Sequence, residues 1–132
     1  MRVARAGLEG GSGGVFSLSA VGKGTALSFS LTLGVAALLG LAAALTQWEG
    51  LRGGFEAFSY ACVGLGGMLA GRSSRRWGWL HGGAVGLLYF AISAALFQEG
   101  FNWSLLLSGP WLARALWDVA AGAAGGILGV NL

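Results

Sequence analysis

Residues 64–86 read GLGGMLAGRSSRRWGWLHGGAVG, and the fold turns on how that stretch is read. A glycine-rich apolar segment ends at Gly71. A basic turn with Arg72, Arg75 and Arg76 follows, and a second apolar segment begins beside Trp77 and Trp79. Arginines and indoles at the ends of apolar segments mark places where a chain leaves a lipid bilayer. Two membrane helices joined by a short basic turn are therefore expected here.

Working outward, the composition agrees. The chain has 132 residues, of which 55% are hydrophobic and only 10% charged. Its mean hydropathy is +0.72. A soluble domain needs more charge to cover its surface, and a chain this short has little interior for so many apolar side chains. Glycine is abundant, 26 residues, without the collagen period. Most of these glycines lie inside apolar stretches, where small residues let membrane helices approach closely.

Four spans emerge. Residues 26–47 carry no charge over 22 positions, close to the roughly 20 that cross the hydrocarbon core. A cleavable signal would have a shorter apolar region, so this helix is expected to be retained. Helix 2 is expected at 57–71, helix 3 at 79–97, and helix 4 at 110–129, with Pro110 in its first turn. Residues 105–107 are either an interfacial half-turn or an extension of helix 4 kinked at Pro110. Residues 1–21 read as a flexible, Gly-rich tail preceding a transmembrane domain at 22–132. Gly22-Lys23-Gly24-Thr25 resembles a phosphate loop only faintly. The first glycine and the preceding strand are missing, and so is the Gly-Lys-Ser/Thr order.

The fold class is thus all-α, a polytopic integral membrane protein with four helices in a glycine-packed bundle. Two similar hairpins are a further expectation. The series Gly64, Gly67, Gly71 matches Gly122, Gly125, Gly129, and residues 43–47 match 94–98. Six Lys and Arg residues lie in the tail and the 2–3 turn, against Arg52 in the other loops. The positive-inside rule places both termini in the cytoplasm of a multi-pass plasma-membrane protein.

Small faces recur every four residues. Gly78, Gly82 and Gly86 share one face of helix 3. Gly67 and Gly71 share one on helix 2, and Gly122, Gly126 and Gly129 lie on helix 4. Ala36, Gly40 and Ala44 form a gentler version on helix 1. These faces serve either packing within one bundle or contact between subunits.

Three intramembrane polar residues stand out. Arg114 and Asp118 are four apart, on one face of helix 4. Aspartate is too short to snorkel, so Asp118 is expected to face the bundle or a wet cavity. It forms a structural salt bridge, or lies on an ion or proton pathway, or stays in the headgroups if the helix starts later. His81 is an interfacial or capping histidine, or a proton relay. No second histidine accompanies it for a metal site, and Cys62 is about half a helix away. Arg72, Arg75 and Arg76 set topology and meet anionic lipid head groups. No surface suited to nucleic acid is present.

The run Gly66-Gly67-Met68-Leu69-Ala70-Gly71-Arg72, followed by Arg76-Trp77-Gly78-Trp79-Leu80-His81-Gly82, resembles the signature of the YrzE-like family of small bacterial membrane proteins. That resemblance spans about residues 23–130. It implies four transmembrane helices in a bacterial plasma membrane and implies no activity. The sequence holds no nucleophile elbow, HExxH or dinucleotide fingerprint, and a non-enzyme without a cofactor is expected. The first functional expectation is an accessory or scaffold subunit that associates with itself or a larger membrane complex. The alternative is a small oligomeric channel or transporter with Asp118 and Arg114 near its pathway.

Overall fold

Ser17 starts the first helix. Its backbone is extended, and its hydroxyl accepts from the Ala20 N–H at 3.4 Å, an N-cap that satisfies one of the otherwise orphaned donors. From there a computed structural model describes residues 16–47, 50–97, 104 and 107–132. Four helices run through them: α1 (Leu18–Thr46), α2 (Leu51–Ser74), α3 (Gly78–Phe97) and α4 (Gly109–Asn131). Two of them, Leu18–Thr46 and Gly78–Leu96, are long and apolar enough to cross a membrane.

The starts of α1 and α2 differ from the expectation. α1 begins at Leu18 rather than residue 26, and takes in Gly22, Lys23 and Gly24. Lys23 is exposed, so its charge costs nothing, and Gly24 is held in the helix by packing on Gly66. The expected tail thus loses residues 18–21 to the helix, and residues 1–15 lie outside the description. α2 begins at Leu51 rather than 57, which puts Glu56 on the helix instead of in a connection. The end of α3 falls at Phe97 as expected, and the other later boundaries differ by one to three residues, within ordinary fraying. Residues 105 and 106, of the expected half-turn, also lie outside the description.

Capping explains the ends. Gln47 and Arg75 adopt left-handed conformations, with φ of 51° and 55°, and their N–H groups bond the Ala43 and Gly71 carbonyls. Trp77 also has a positive φ, 54°. For a bulky side chain this is a strained conformation, and neighbouring bonds must hold it. The Trp77 carbonyl accepts from the Leu80 and His81 N–H groups, opening α3. Pro110 occupies the first turn of α4, where its missing N–H is harmless.

α2 and α3 touch each other, and α1 and α4 each pack on both of them. Among the described residues, α1 and α4 do not touch. The four helices form a rhombus with α1 and α4 at opposite corners. The basic turn, the start of α1 and the end of α4 share one end of the bundle, termed the basic end.

Glycine sets the helix spacing. A methyl placed at Gly67 would land on the Gly122 carbonyl, and one at Gly71 on the Gly126 carbonyl. Likewise Gly78 abuts Gly126, Gly82 abuts Gly122, and Gly86 abuts the backbone of Asp118. Gly125 abuts Gly64, and Gly129 abuts Met68. Shifting by 58 residues turns the Gly67–Gly122 contact into Gly125–Gly64, so the two glycine series pack reciprocally across the α2–α4 interface. Helix backbones this close exchange dispersion contacts that a side chain would block.

The interior is correspondingly small. Its apolar members are Ala20, Val21, Cys62, Val63, Ala70, Val85, Tyr89 and Ala94. Among the described residues no Leu, Ile, Phe or Trp is buried, while Leu33, Leu41, Leu65, Leu87, Leu116 and Leu128 are exposed.

Candidate functional site

The buried polar side chains fall into two groups. Thr25 and Ser28 donate to the carbonyls of Val21 and Gly24, one turn back. Ser59 and Ser93 do the same to Glu56 and Phe90. A hydroxyl bonded to its own helix is nearly neutral in a core. His81, 1% exposed, accepts at Nε2 from the Ser17 N–H at 2.9 Å. Its Nδ1 lies 3.0 Å from the Trp77 carbonyl and donates to it, which fixes the neutral tautomer. The Phe16 ring stacks on the imidazole at 5.1 Å. His81 thus ties the start of α1 to the start of α3. It is a capping histidine across two helices, buried rather than lying at an exposed edge.

Asp118 stands apart. It is 0% exposed, and neither carboxylate oxygen has a hydrogen-bond partner. The helix rise places it about 14 Å from Gly109, in the middle third of α4. Its backbone presses on Gly86 of α3. Arg114, one turn nearer the start of α4, has a buried Nε with no partner. No hydrogen bond joins the two residues, so the expected Arg114–Asp118 bond is not formed. Each guanidinium donor and carboxylate acceptor left bare in an interior costs at least a hydrogen bond's worth of desolvation, about 1–3 kcal/mol and more for charges.

Two aromatic hydroxyls share the field of this carboxylate. Tyr60 on α2 and Tyr89 on α3 both lie within electrostatic reach of Asp118 and Arg114. Tyr89 donates to the Thr32 hydroxyl on α1 at 3.1 Å, and its ring meets Phe29 at 4.7 Å.

Two cavities open at the end away from the basic turn. One, of 330 Å³, is lined by Glu56, Tyr60, Pro110, Trp111, Arg114 and Trp117. The other, of 430 Å³, lies between Ala36, Leu39, Gly40 and Ala43 of α1, Phe55 and Glu56 of α2, and Arg114 of α4. Glu56 and Arg114 belong to both. Toward the basic end two further grooves run between α3 and α4, one of 390 Å³ beside Arg76, Trp79, Ile127 and Asn131 and one of 300 Å³ walled by Trp79, Leu80, Leu87, Val119 and small residues. Sequence reasoning missed Glu56, because it placed that residue in a connection.

Of the other expected residues, Gly67, Gly71, Gly78, Gly82, Gly86, Gly122, Gly126 and Gly129 are all buried between helices of this one chain. The Ala36–Gly40–Ala44 face is not: Gly40 meets nothing within 4 Å, and Ala44 is exposed. Arg72, Arg75 and Arg76 are exposed at the basic end. Arg72 caps a 210 Å³ groove floored by Leu27, Leu31, Leu65, Met68, Leu69 and Leu132. Cys62 is buried and free. Among the described residues no group of three His, Cys, Asp or Glu side chains could hold a metal ion.

Four helices around a small-residue interior that encloses one unpartnered carboxylate define an all-α bundle protein, and two of the helices have the length and apolarity of membrane spans. A family model described as Protein of unknown function (DUF3792) matches residues 17–129, and the chain belongs to that family. No curated protein and no solved structure matches it.

Proposed function

We propose that all four helices span a membrane, with both termini and the α2–α3 turn in the cytoplasm, and that the protein is a small channel or transporter whose intramembrane site is Asp118 with Arg114. The unpartnered carboxylate of Asp118 carries this reading. A charge at membrane depth costs roughly 2.5–3.5 kcal/mol even on the lenient insertion scale, and such residues mark ion and proton paths. The inside-out distribution of side chains supports four spans. Leucines are exposed on every helix, and the buried positions are held largely by glycines and by residues such as Ala70, Ala94, Ser28, Ser59 and Ser93. α2 and α4, with 24 and 23 residues, are long enough for a hydrocarbon core of about 30 Å. Much of their modest hydropathy comes from glycines turned toward each other rather than toward lipid.

The test is a cycle of Asp118→Asn, Arg114→Gln and the double variant, with ion and proton flux in vesicles and melting in detergent measured for each. Flux in the wild type that is lost in a well-folded Asp118→Asn supports a pathway. Coupled melting effects without flux in any variant would reduce the pair to a structural unit.

A second reading, an accessory or scaffold subunit of a membrane complex, draws on a different observation. The outer half of α1 exposes Leu38, Leu41 and Leu45, and nothing approaches Gly34 on the same face. That face is open to another helix, whereas the glycine faces of α2, α3 and α4 are occupied within the chain. Cross-linking from a cysteine at Gly34 in native membranes tests it. A stoichiometric larger partner supports this reading, and a product containing only this chain counts against it.

A further inference from the structure

Arg114 has two carboxylates to choose from. Asp118 lies one turn further along the same face, a spacing that lets the side chains meet. Glu56 lines both cavities that Arg114 lines, so it shares the same open space from the neighbouring helix. In this structure the guanidinium has not gone to Asp118, whose two oxygens stand unpartnered and fully enclosed.

We infer that Asp118 is a proton-binding site and that Arg114 is its tethered competitor, moving between Glu56 and Asp118. This rests on the reading of Asp118 as a site rather than a strut. With Arg114 turned toward Glu56, the Asp118 carboxylate takes one proton from water in the crevice and becomes a neutral carboxylic acid. With Arg114 turned inward, the guanidinium replaces that proton, which returns to water. The two forms differ by one bound proton and by no other bond.

The chemistry of the surroundings selects a proton over a metal ion. Sodium, calcium or magnesium needs several oxygen ligands around it, commonly six or more for calcium. Here one carboxylate stands with two phenols in its field, and among the described residues no group of three His, Cys, Asp or Glu side chains gathers around it. A proton needs only the one oxygen, and it removes the buried charge that would otherwise be stranded. The ionisable groups facing Asp118 are few. Arg114 lies on its own helix, Tyr60 on α2 and Tyr89 on α3, with Cys62 on α2 acting on Tyr89. α1 does not touch α4 among the described residues.

Access runs through the crevice that carries the polar side chains. Both cavities open among Glu56, Trp111 and Ala43, at the end away from the basic turn. Below Asp118, the contacts of Gly82 with Gly122 and of Gly78 with Gly126 bring backbone against backbone. The α3–α4 groove on that side is walled by Trp79, Leu80, Leu87, Val119 and small residues, so the proton enters through the crevice that Glu56 and Arg114 line.

The experiment is infrared difference spectroscopy of the full chain in lipid nanodiscs across a pH series, following the carbonyl stretch of protonated carboxylic acids. Asp118→Asn is isosteric and should delete one titrating band. Glu56→Gln, at an exposed position, leaves Arg114 only Asp118 to pair with. It should weaken proton binding at Asp118 by about tenfold or more, one pH unit of midpoint. Arg114→Gln should strengthen it by a similar factor. An Asp118→Asn spectrum that superimposes on the wild type overturns the proton site. Identical titrations of Glu56→Gln and wild type overturn the competition by Arg114. Loss of the band on adding sodium at fixed pH overturns the choice of a proton over a metal ion. The spectroscopy is independent of flux. A titrating Asp118 band without flux leaves this inference standing and removes the transport reading, and flux without the band does the reverse.

Discussion

Replacing Gly82 with alanine adds one methyl group and should cost more than many larger core changes. The methyl would fall on the Gly122 carbonyl, with the Gly122 carbonyl carbon at 2.8 Å and the Gly126 Cα at 2.9 Å. Ordinary van der Waals contact at such a position is 3.4–4 Å, and the Gly122 oxygen lies nearer still, so α3 and α4 must part by more than about 1 Å locally. Backbone atoms cannot rotate away as a flexible side chain can. Overpacking costs about 1–3 kcal/mol in well-packed cores, and this position belongs at the upper end. Helix propensity works the other way, because alanine is favoured over glycine by about 1 kcal/mol. The net expectation for Gly82→Ala is a loss of about 2 kcal/mol. Gly40→Ala provides the opposite case. Nothing lies within 4 Å of that position, so only the propensity gain of up to about 1 kcal/mol remains. Equilibrium unfolding of both variants in bicelles measures the difference. Equal stability for Gly82→Ala and Gly40→Ala would refute the backbone contact between α3 and α4.

His81→Leu should lose about 1–3 kcal/mol, because it strips the Ser17 N–H of its acceptor and the Trp77 carbonyl of a donor inside the bundle. Hydrogen exchange should then speed up first at residues 17–21, and unchanged exchange there would contradict the cap. Arg72→Gln should weaken retention of anionic over zwitterionic lipid, because Arg72 stands at the mouth of an apolar groove wide enough for an acyl chain. Native mass spectrometry with matched lipid pairs reads this, and an unchanged preference counts against the groove.

The sequence was informative where its signals were local. Pro110 marked the start of α4 to within one residue, and the basic turn separated α2 from α3. The four-residue glycine period located the tight faces of α2, α3 and α4. The same residue misled at the starts of α1 and α2. Gly22 and Gly24 lie before the uncharged run and Gly53 and Gly54 before the expected helix 2, yet all four lie in helices. For Gly24 the reason is tertiary, a contact with Gly66 that no local rule contains. A local signal did exist at Ser17, three residues before the N–H it caps. Glu56 shares cavities with Arg114 although 58 positions separate them. Nothing in a single sequence pairs those two residues, since their meeting depends on how α2 and α4 are set side by side.

Position explains why the carboxylate sits where it does. On α3 the four-residue series runs Gly78, Gly82, Gly86 and then Phe90. On α4 the opposed series runs Gly126, Gly122, Asp118 and then Arg114. The first three steps bring backbone to backbone, the last of them at Asp118 itself. The fourth step replaces glycine with phenylalanine on one helix and arginine on the other. Helices cannot stay in backbone contact past that point, and the Phe90 ring instead meets Trp111 edge-on at 6.0 Å. The cavity that holds Glu56, Tyr60 and Arg114 occupies the space beyond. Asp118 therefore stands at the last turn of backbone contact, with the glycine seam on one side and the crevice lined by Glu56 and Arg114 on the other. A carboxylate used only to lock helices together gains most from a partner within the seam. One placed at the boundary, without a partner, can still be reached from the crevice once Arg114 is turned aside.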